Sequence, residues 1–110
     1  MSDKKRPSAE KRTKRIRDCN QSDDFIKDWE RLERSGRHDM HRLKEAMLLL
    51  IANDAALPPE WKDHSLKGKF SEYRECHVKG DLLLVYELEE ISSGELVVFV
   101  RAGTHSELFA

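Results

Sequence analysis

Residues 73–88 read YRECHVKGDLLLVYEL, and this stretch decides the fold. Its first six positions alternate between polar and apolar residues, a Lys-Gly turn signal follows, and positions 82–88 are almost wholly apolar. Two such segments around a turn predict a β-hairpin. A third segment, 96–101, is rich in β-branched residues and follows a Ser-Ser-Gly turn signal. We therefore predict an antiparallel meander with the apolar strand in the middle.

Two helices are predicted before the meander. Ser22 and the aspartates after it provide an N-cap with first-turn carboxylates, and Phe25 and Trp29 stand at helical spacing before Gly36 ends the segment. Apolar residues then repeat at spacings of three and four over 40–51, which predicts a second helix. Because the break between them is short, the two helices should form an antiparallel hairpin.

The rest of the chain has weaker signals. Residues 14–19 are predicted as a short first strand around Ile16, and 53–71 as a long connection without a period. The fold class is therefore α+β, in the order β-α-α-β-β-β, with the helices packed on one face of the small sheet. A chain of 110 residues has room for one domain. We assign that domain to 14–110 and treat 1–13 as a flexible extension.

Charge is distributed unevenly along the chain. The first 17 residues carry eight Lys or Arg and two acidic residues, a net charge of +6, whereas the other 93 carry 12 basic and 19 acidic residues, a net charge of −7. A basic arm of this kind either contacts an acidic partner such as nucleic acid or is simply solvated. The longest apolar run, 46–52, is far shorter than the roughly 18 residues of a membrane span, and no signal peptide is recognisable. We expect a cytoplasmic protein without a membrane partner.

Histidine is the side chain best suited to proton transfer near neutral pH, and three stand in the second half of the chain. In the 73–78 strand, Glu75 and His77 share one face, whereas Cys76 points to the other. Gly103 should let the chain turn sharply and present His105 near Arg101. We expect four side chains to converge at the strand ends, joined by His64 from the folded-back connection; the four are His77, Asp81, Arg101 and His105.

Other readings of these residues are less favoured. No HxH, HxxxH or HExxH spacing links the three histidines, and neighbouring Lys and Arg residues oppose a divalent cation, so we predict no metal and no cofactor. His38 and His41 fit an exposed helix face better than a metal site. Cys19 and Cys76 lack a CxxC partner and fall in predicted strands, so buried free thiols are expected. Trp29 and Trp61 read as core or loop anchors, and Asp63 beside His64 as a loop cap or a catalytic partner.

Three motifs together resemble a known family. They are Trp61-Lys-Asp-His64-Ser-Leu66-Lys-Gly68, then Tyr73 to Tyr86 with its Arg-Glu-Cys-His and Gly-Asp elements, then Arg101-Ala-Gly-Thr-His105-Ser-Glu-Leu-Phe109. In this order they look like the YafQ branch of the RelE/ParE toxin superfamily, from about residue 14 to 110. The charged helical segment 27–32 is also similar to that family's.

The resemblance implies a toxin of a bacterial type II toxin-antitoxin pair, a metal-independent endoribonuclease that cuts mRNA in the ribosomal A site. By that likeness the 2′-hydroxyl attacks the adjacent phosphate, with His105 as proton donor and His64 or Asp81 as base. Arg101 would stabilise the phosphate and Phe109 would stack on a base, with His77 and Glu75 completing the catalytic set. RNA contacts are expected from four basic residues, namely Lys62, Lys67, Lys69 and Arg74.

The implied partners are a cognate antitoxin, mRNA in the A site of the 70S ribosome, and operator DNA bound by the toxin-antitoxin complex. Relatives are usually basic, whereas this body is acidic, so weaker or more ribosome-dependent RNA binding is expected. Two other functions fit the same fold. One is a ParE-like inhibitor of DNA gyrase, and the other a catalytically silent member that acts as a repressor with its antitoxin.

Overall fold

The computed structural model describes residues 15–109, so the predicted extension at 1–13 lies outside the described residues. Within them the helices are α1 (Asp23–Ser35), α2 (Met40–Ala52) and α3 (His105–Phe109). The strands are β1 (Asp18–Gln21), β2 (His64–Ser65), β3 (Arg74–Lys79), β4 (Leu82–Ile91) and β5 (Gly94–Thr104), and short 3₁₀ turns lie at Pro59–Trp61 and Gly68–Phe70. None of the helices in this part of the chain has the length and apolar character needed to cross a membrane.

The strands form one sheet in the order β1-β5-β4-β3-β2. β4 lies in the middle and is antiparallel to both β3 and β5, which confirms the predicted meander. β1 pairs in parallel with β5, from Asp18 opposite Leu96 to Gln21 opposite Phe99. The α+β class is confirmed, with a sheet that is mixed rather than wholly antiparallel.

The two long helices begin and end as their capping residues predict. The Phe25 amide donates to Ser22 Oγ at 2.9 Å, and Gly36 ends α1 with a φ of 70°. Asp39 caps α2 in the same way by accepting from the Arg42 amide at 3.0 Å. Both helices pack on one face of the sheet, and the buried core there includes Phe25, Leu32, Leu43, Ala46, Leu50, Cys76, Val78, Leu82, Leu84, Tyr86, Val97 and Phe99.

The first strand starts later than predicted. β1 begins at Asp18, and Ile16, the expected apolar residue of the strand, is 59% exposed. The segment before β1 is bound to the end of α2 instead, because the Arg17 amide donates to the Ile51 carbonyl at 2.9 Å and the Asn53 side chain donates to the Arg15 carbonyl at 2.8 Å. The prediction that residues 14–19 form the strand was therefore wrong by about four positions.

The long connection after α2 contains more structure than its sequence indicates. Trp61 anchors it with 1% of its surface exposed, and the Arg42 guanidinium lies 3.7 Å above the indole ring. Beyond this anchor, His64 and Ser65 form the edge strand β2 against β3. Both tryptophans serve as anchors, as predicted, since Trp29 packs against the core.

Two expectations about individual residues were wrong. Gly103 does not turn the chain, because β5 continues through it, with Gly103 opposite Leu83 and Thr104 opposite Leu82. Cys19 is exposed rather than buried, since all four residues of the edge strand β1 face solvent. Cys76 is buried as predicted, and burial raises the pKa of its thiol to about 12, so the thiol is a poor nucleophile near neutral pH.

Candidate active site

The uncovered face of β3 brings together three of the predicted site residues. Cys76 and Val78 point into the helix-covered core, so Glu75 and His77 point to the opposite side, as the alternation of the strand predicts. β2 places His64 directly opposite Glu75. The His64 Nε2 and His77 Nε2 atoms lie 3.4 Å and 3.7 Å from the same oxygen, Glu75 Oε2. We call these three residues the Glu75 cluster.

The Glu75 cluster combines a buried acid with two accessible imidazoles. Glu75 is 6% exposed, whereas the side chains of His64 and His77 are 49% and 37% exposed. His64 Nδ1 lies 2.6 Å from the Lys62 carbonyl, which can only accept a hydrogen bond, so Nδ1 carries a proton. In the neutral ring Nε2 is then the basic atom, and it faces Glu75. Once protonated, Nε2 can donate to the carboxylate.

The same three residues present a possible donor set for a metal. One ligand atom from each lies within 4.8 Å of the others. Imidazole nitrogen and carboxylate oxygen suit Cu²⁺ and Zn²⁺. Sequence spacing does not reveal this grouping, because a strand pairing brings His64 beside residues 11 and 13 positions later.

His105 and Phe109 lie on α3, which starts directly after β5. The His105 and Phe109 ring centroids are 5.3 Å apart, and Phe109 in turn lies 6.1 Å from Phe70 in an edge-to-face arrangement. Because Thr104 is opposite Leu82, His105 stands at the end of the sheet where β3 and β4 are joined. Phe109 is therefore held partly by contacts with two other rings.

Arg101 shares a row with the Glu75 cluster but is bound elsewhere. Glu75, Val85 and Arg101 lie opposite one another on three adjacent strands. The Arg101 guanidinium donates to the carboxylate of Asp28 on α1, through Nε at 2.7 Å and Nη2 at 3.1 Å. This bidentate pair fixes the direction of the side chain, 35% of which remains exposed.

Asp81 directly follows the hairpin glycine Gly80. It is exposed in the turn between β3 and β4 and lines a shallow cavity of about 320 Å³. The other lining residues come from that turn and the loop between α1 and α2; they are Arg37, His38, Asp39, Lys79, Gly80 and Leu82.

The predicted RNA-binding residues fall into two groups. Lys62, Lys67 and Lys69 are exposed on the connection that carries His64. Arg74 alternates with Glu75 and lies on the helix-covered side of β3. Its guanidinium donates to Tyr86 Oη at 3.2 Å and to Ser65 Oγ at 2.9 Å. Tyr86 Oη also donates to Asp63, so Asp63 has a structural partner in the core.

Asp28 was not singled out by sequence reasoning. It belongs to the segment described as a charged helix face, yet only 2% of its surface is exposed. Burial alone would raise the pKa of its carboxyl, but hydrogen bonds from Arg101, the Ala102 amide and Arg31 outweigh it and hold the pKa below its usual value. A signal was present: Asp28 stands three residues after Phe25 and four before Leu32, in the apolar stripe of α1.

Comparisons with known proteins agree with this geometry. A family model described as "Bacterial toxin of type II toxin-antitoxin system, YafQ" matches residues 17–110. The mRNA interferase toxin YafQ of Escherichia coli strain K12 is 41% identical over 93 residues, which cover 84% of this chain and 96% of that protein.

Solved structures show the same fold. A crystal structure of the E. coli DinJ-YafQ complex matches with a TM-score of 0.73 at 40% identity, over 86% of this chain and 99% of that one. A copper-bound mutant toxin from Helicobacter pylori matches with a TM-score of 0.74 at 36% identity, over 86% of this chain and 100% of that one. The match to the family model and the agreement of sequence and fold show that the chain belongs to the YafQ family of bacterial toxins of type II toxin-antitoxin systems.

Proposed function

We propose that this toxin is an endoribonuclease that cuts mRNA in the ribosomal A site by general acid and base catalysis, without a metal ion in the reaction. The observation that carries the proposal is the Glu75 cluster, in which one buried carboxylate oxygen faces two accessible imidazole nitrogens. Proton transfer is what RNA cleavage through the 2′-hydroxyl requires. The E. coli relative is named an mRNA interferase, which supports the same activity.

The reaction needs one proton removed and one supplied. A base takes the proton of the 2′-hydroxyl, the 2′-oxygen bonds to phosphorus, and the bond from phosphorus to the 5′-oxygen breaks. An acid then protonates the departing 5′-oxygen. The products are a 2′,3′-cyclic phosphate and a 5′-hydroxyl, and the negative charge on phosphorus needs cationic support on the way.

His64 fits the base better than Asp81 does. Its Nδ1–H donates to the Lys62 carbonyl, which leaves Nε2 as the atom that accepts a proton beside Glu75. The Glu75 carboxylate then stabilises the imidazolium, as an acid partner does for catalytic histidines in general. Asp81 lines a cavity together with residues of the loop between the helices. His77 is the second imidazole on Glu75 and assists in holding the phosphate.

The remaining roles follow from position. His105, exposed at the start of α3, is the proton donor, and Phe109 beside it stacks on a base. Arg101 supports the phosphate from its row on the sheet. The exposed Lys62, Lys67 and Lys69 contact the RNA backbone, and Arg74 supports them by holding Ser65 of β2.

The partners follow from the family. The E. coli toxin has been crystallised as a DinJ-YafQ toxin-antitoxin complex, so we propose a cognate antitoxin for this chain as well. The same complex would bind operator DNA, and the toxin would act in the cytoplasm on ribosomes that carry mRNA. Residues 14–110 would form the single domain that does all of this.

Primer extension on mRNA, during induced expression in bacteria, tests the proposal. Wild-type toxin should produce discrete 5′ ends within codons, whereas His105→Ala should abolish the cuts and the toxicity with an unchanged circular dichroism spectrum. A folded His105→Ala protein with full toxicity contradicts the assigned role. Inhibition of gyrase supercoiling without mRNA cuts would instead establish the ParE-like activity, and repression without either would establish a silent member.

A second candidate function is metal binding at the Glu75 cluster. Its three ligand atoms lie within 4.8 Å of one another, and the copper-bound H. pylori toxin shares the fold. We expect titration calorimetry to detect CuCl₂ binding that His64→Ala removes, with MgCl₂ as the negative control. Bound copper should inhibit cleavage, because it takes the nitrogen lone pairs needed for protons. Loss of cleavage in 1,10-phenanthroline, which removes transition metals but leaves the Mg²⁺ of the ribosome in place, would overturn the metal-free mechanism.

A further inference from the structure

Asp28 lies on α1, away from the Glu75 cluster, yet its contacts lead to the segment that carries the proposed acid. We propose that Asp28 is a positioning residue for RNA cleavage. It orients Arg101 directly, and it fixes α3, with His105 and Phe109, through Arg31 and Glu107. The inference rests on the proposed function, since it assumes that these residues meet the RNA.

The first step is the contact between Asp28 and β5. Asp28 Oδ2 accepts from Arg101 Nε at 2.7 Å and from the Ala102 amide at 3.0 Å. Oδ1 accepts from Arg101 Nη2 at 3.1 Å. β1 ends at Gln21 opposite Phe99, so the edge of β5 beyond that point has no strand beside it on that side. Asp28 takes up the Ala102 amide there and thereby joins α1 to the last residues of β5.

Arg31, one helical turn after Asp28, extends the contacts of Asp28 to the end of β5 and to α3. Arg31 Nη1 donates to Asp28 Oδ1 at 2.7 Å, which leaves Nη2 directed at the end of β5. Nη2 donates to the Ala102 carbonyl and to Glu107 Oε1, each at 3.3 Å. Arg31 therefore connects the buried carboxylate to α3. Because the guanidinium is planar, the bond to Asp28 also determines where its other nitrogens point.

A capping box fixes the start of α3. Thr104 and Glu107 form a capping box: the Thr104 amide donates to Glu107 Oε1 at 2.8 Å, and the Glu107 amide donates to Thr104 Oγ1 at 3.3 Å. A helix of five residues is not stable by itself. Its position therefore depends on such contacts, and Glu107 Oε1 is the atom that the capping box shares with Arg31.

Gly103 shows how closely these parts fit. A Cβ atom at this position would lie 2.8 Å from Glu107 Oε1, 3.1 Å from Arg31 Nη2 and 3.2 Å from Leu108 Cδ2. The absence of a side chain lets Arg31 and α3 approach the strand. Two residues farther on stands His105, so an error in this packing is transmitted to the proposed acid over a short distance.

The test is steady-state cleavage of mRNA on programmed ribosomes by Asp28→Asn, with Glu33→Gln as the charge-matched control on the exposed side of α1. Asp28→Asn should lower kcat about 10- to 100-fold with KM changed by less than about twofold, since a small displacement of a catalytic group has effects of this size. Glu33→Gln should match wild type. A folded Asp28→Asn toxin with wild-type kcat overturns the inference.

Two further variants keep the inference testable if Asp28→Asn does not fold. Arg31→Lys and Glu107→Gln change side chains that are 41% and 36% exposed, and neither belongs to the core. Each should lower kcat several-fold without changing KM. Combining Asp28→Asn with Glu107→Gln should cost less than the product of the two single effects, because they break one pathway. Wild-type kcat in both exposed variants overturns the inference.

A readout without catalysis separates this inference from the proposed function. If wild-type toxin cuts no mRNA, the proposed function fails. The surroundings of each histidine ring can still be followed through its imidazole chemical shifts in ¹H-¹³C NMR spectra. Asp28→Asn should displace the imidazole signals of His105 and leave those of His41 unchanged, and Glu33→Gln should displace neither. Unmoved His105 signals in folded Asp28→Asn would contradict the positioning role.

Discussion

Asp28 and Glu75 are both buried carboxylates, with 2% and 6% of their surfaces exposed, and each faces two basic side chains. Asp28 accepts from Arg31 and Arg101 at 2.7 Å to 3.1 Å. Glu75 lies 3.4 Å and 3.7 Å from the nitrogens of His64 and His77. The same kind of acid thus has permanently charged partners in one region and titratable partners in the other.

This difference distinguishes contacts that hold the structure together from contacts that can take part in proton transfer. Arginine keeps its charge at every accessible pH, so the bonds around Asp28 are constant and can hold α1, β5 and α3 together. Histidine gains and loses its proton near neutral pH, and longer distances leave its ring free to exchange that proton with a substrate. We infer that Asp28 contributes mainly to stability and position, and Glu75 mainly to the reaction.

The largest effect is expected from breaking the Asp28 region. Asp28→Asn should lower the free energy of unfolding by about 3 kcal/mol, the lower end for removing one member of a buried charge pair, because both guanidiniums keep partial solvent contact. Urea denaturation at pH 7 measures it. Glu75→Gln should lower the same quantity by less than about 1 kcal/mol. Equal losses in the two variants would remove the distinction between the regions.

The reverse experiment measures cleavage in the Glu75 region. Glu75→Gln should reduce the cleavage rate about 10²-fold, the size expected for a partner of a general base, which is about 2.7 kcal/mol of barrier. Glu90→Gln, at an exposed position far along β4, is the matched control. A Glu75→Gln toxin that cuts RNA as fast as the Glu90→Gln control would show that the cluster is not catalytic.

The contribution of Asp28 to the free energy of unfolding should depend on pH in acid. Its carboxyl has a pKa below the usual value of about 3.9, so the unfolded chain takes up a proton before the folded one does. The stability due to Asp28 is therefore full above about pH 4 and is lost as pH falls below it, by at most about 1.4 kcal/mol per pH unit. The difference in free energy of unfolding between wild type and Asp28→Asn should shrink as the pH falls below about 4. A constant difference between the two proteins would contradict the assignment.

The smallest effect is expected at Gly103, where β5 packs against Arg31 and α3. Gly103→Ala introduces a Cβ 2.8 Å from Glu107 Oε1, so the Glu107 side chain or α3 must shift. We expect a loss of about 1 to 2 kcal/mol in stability, within the range for overpacking, together with a several-fold loss of cleavage. Ala102→Gly, which removes a methyl group next to it, should lower stability without displacing α3. The His105 NMR signals distinguish the two outcomes.

Much of the fold could be predicted because apolar residues recur at regular intervals along its main helices and strands. The apolar stripes of α1 and α2 and the segments of β3, β4 and β5 each give a clear signal, and strand alternation placed Glu75 beside His77. β1 and β2 gave little, since β1 is polar and exposed and β2 has two residues whose pairing depends on β3. Short edge strands are stabilised by their neighbours rather than by their own sequence.

His64, Glu75 and His77 could be singled out from the sequence, and the structure brings them together, but most contacts of the candidate site could not be predicted. The resemblance selected the histidines, yet it gave Asp28 no role, because a charged residue inside a helix segment is usually solvated. The sequence assigned Arg101 to the phosphate and Arg74 to RNA contact but gave neither a protein partner, whereas the structure binds Arg74 to Tyr86 and Ser65 and Arg101 to Asp28. Which carboxylate meets which cation depends on packing between distant segments, and no local pattern records it.

The Asp28 contacts also have a consequence for the order of folding. The bonds from Asp28 to Arg101 and to the Ala102 amide join residues 73 and 74 positions apart. Contacts that close such long loops cost chain entropy and form slowly. A nascent chain that has not yet emerged beyond residue 102 cannot make them, so it cannot fix His105. The bonds that join α1 to the end of β5 can therefore form only after residue 102 has been synthesised.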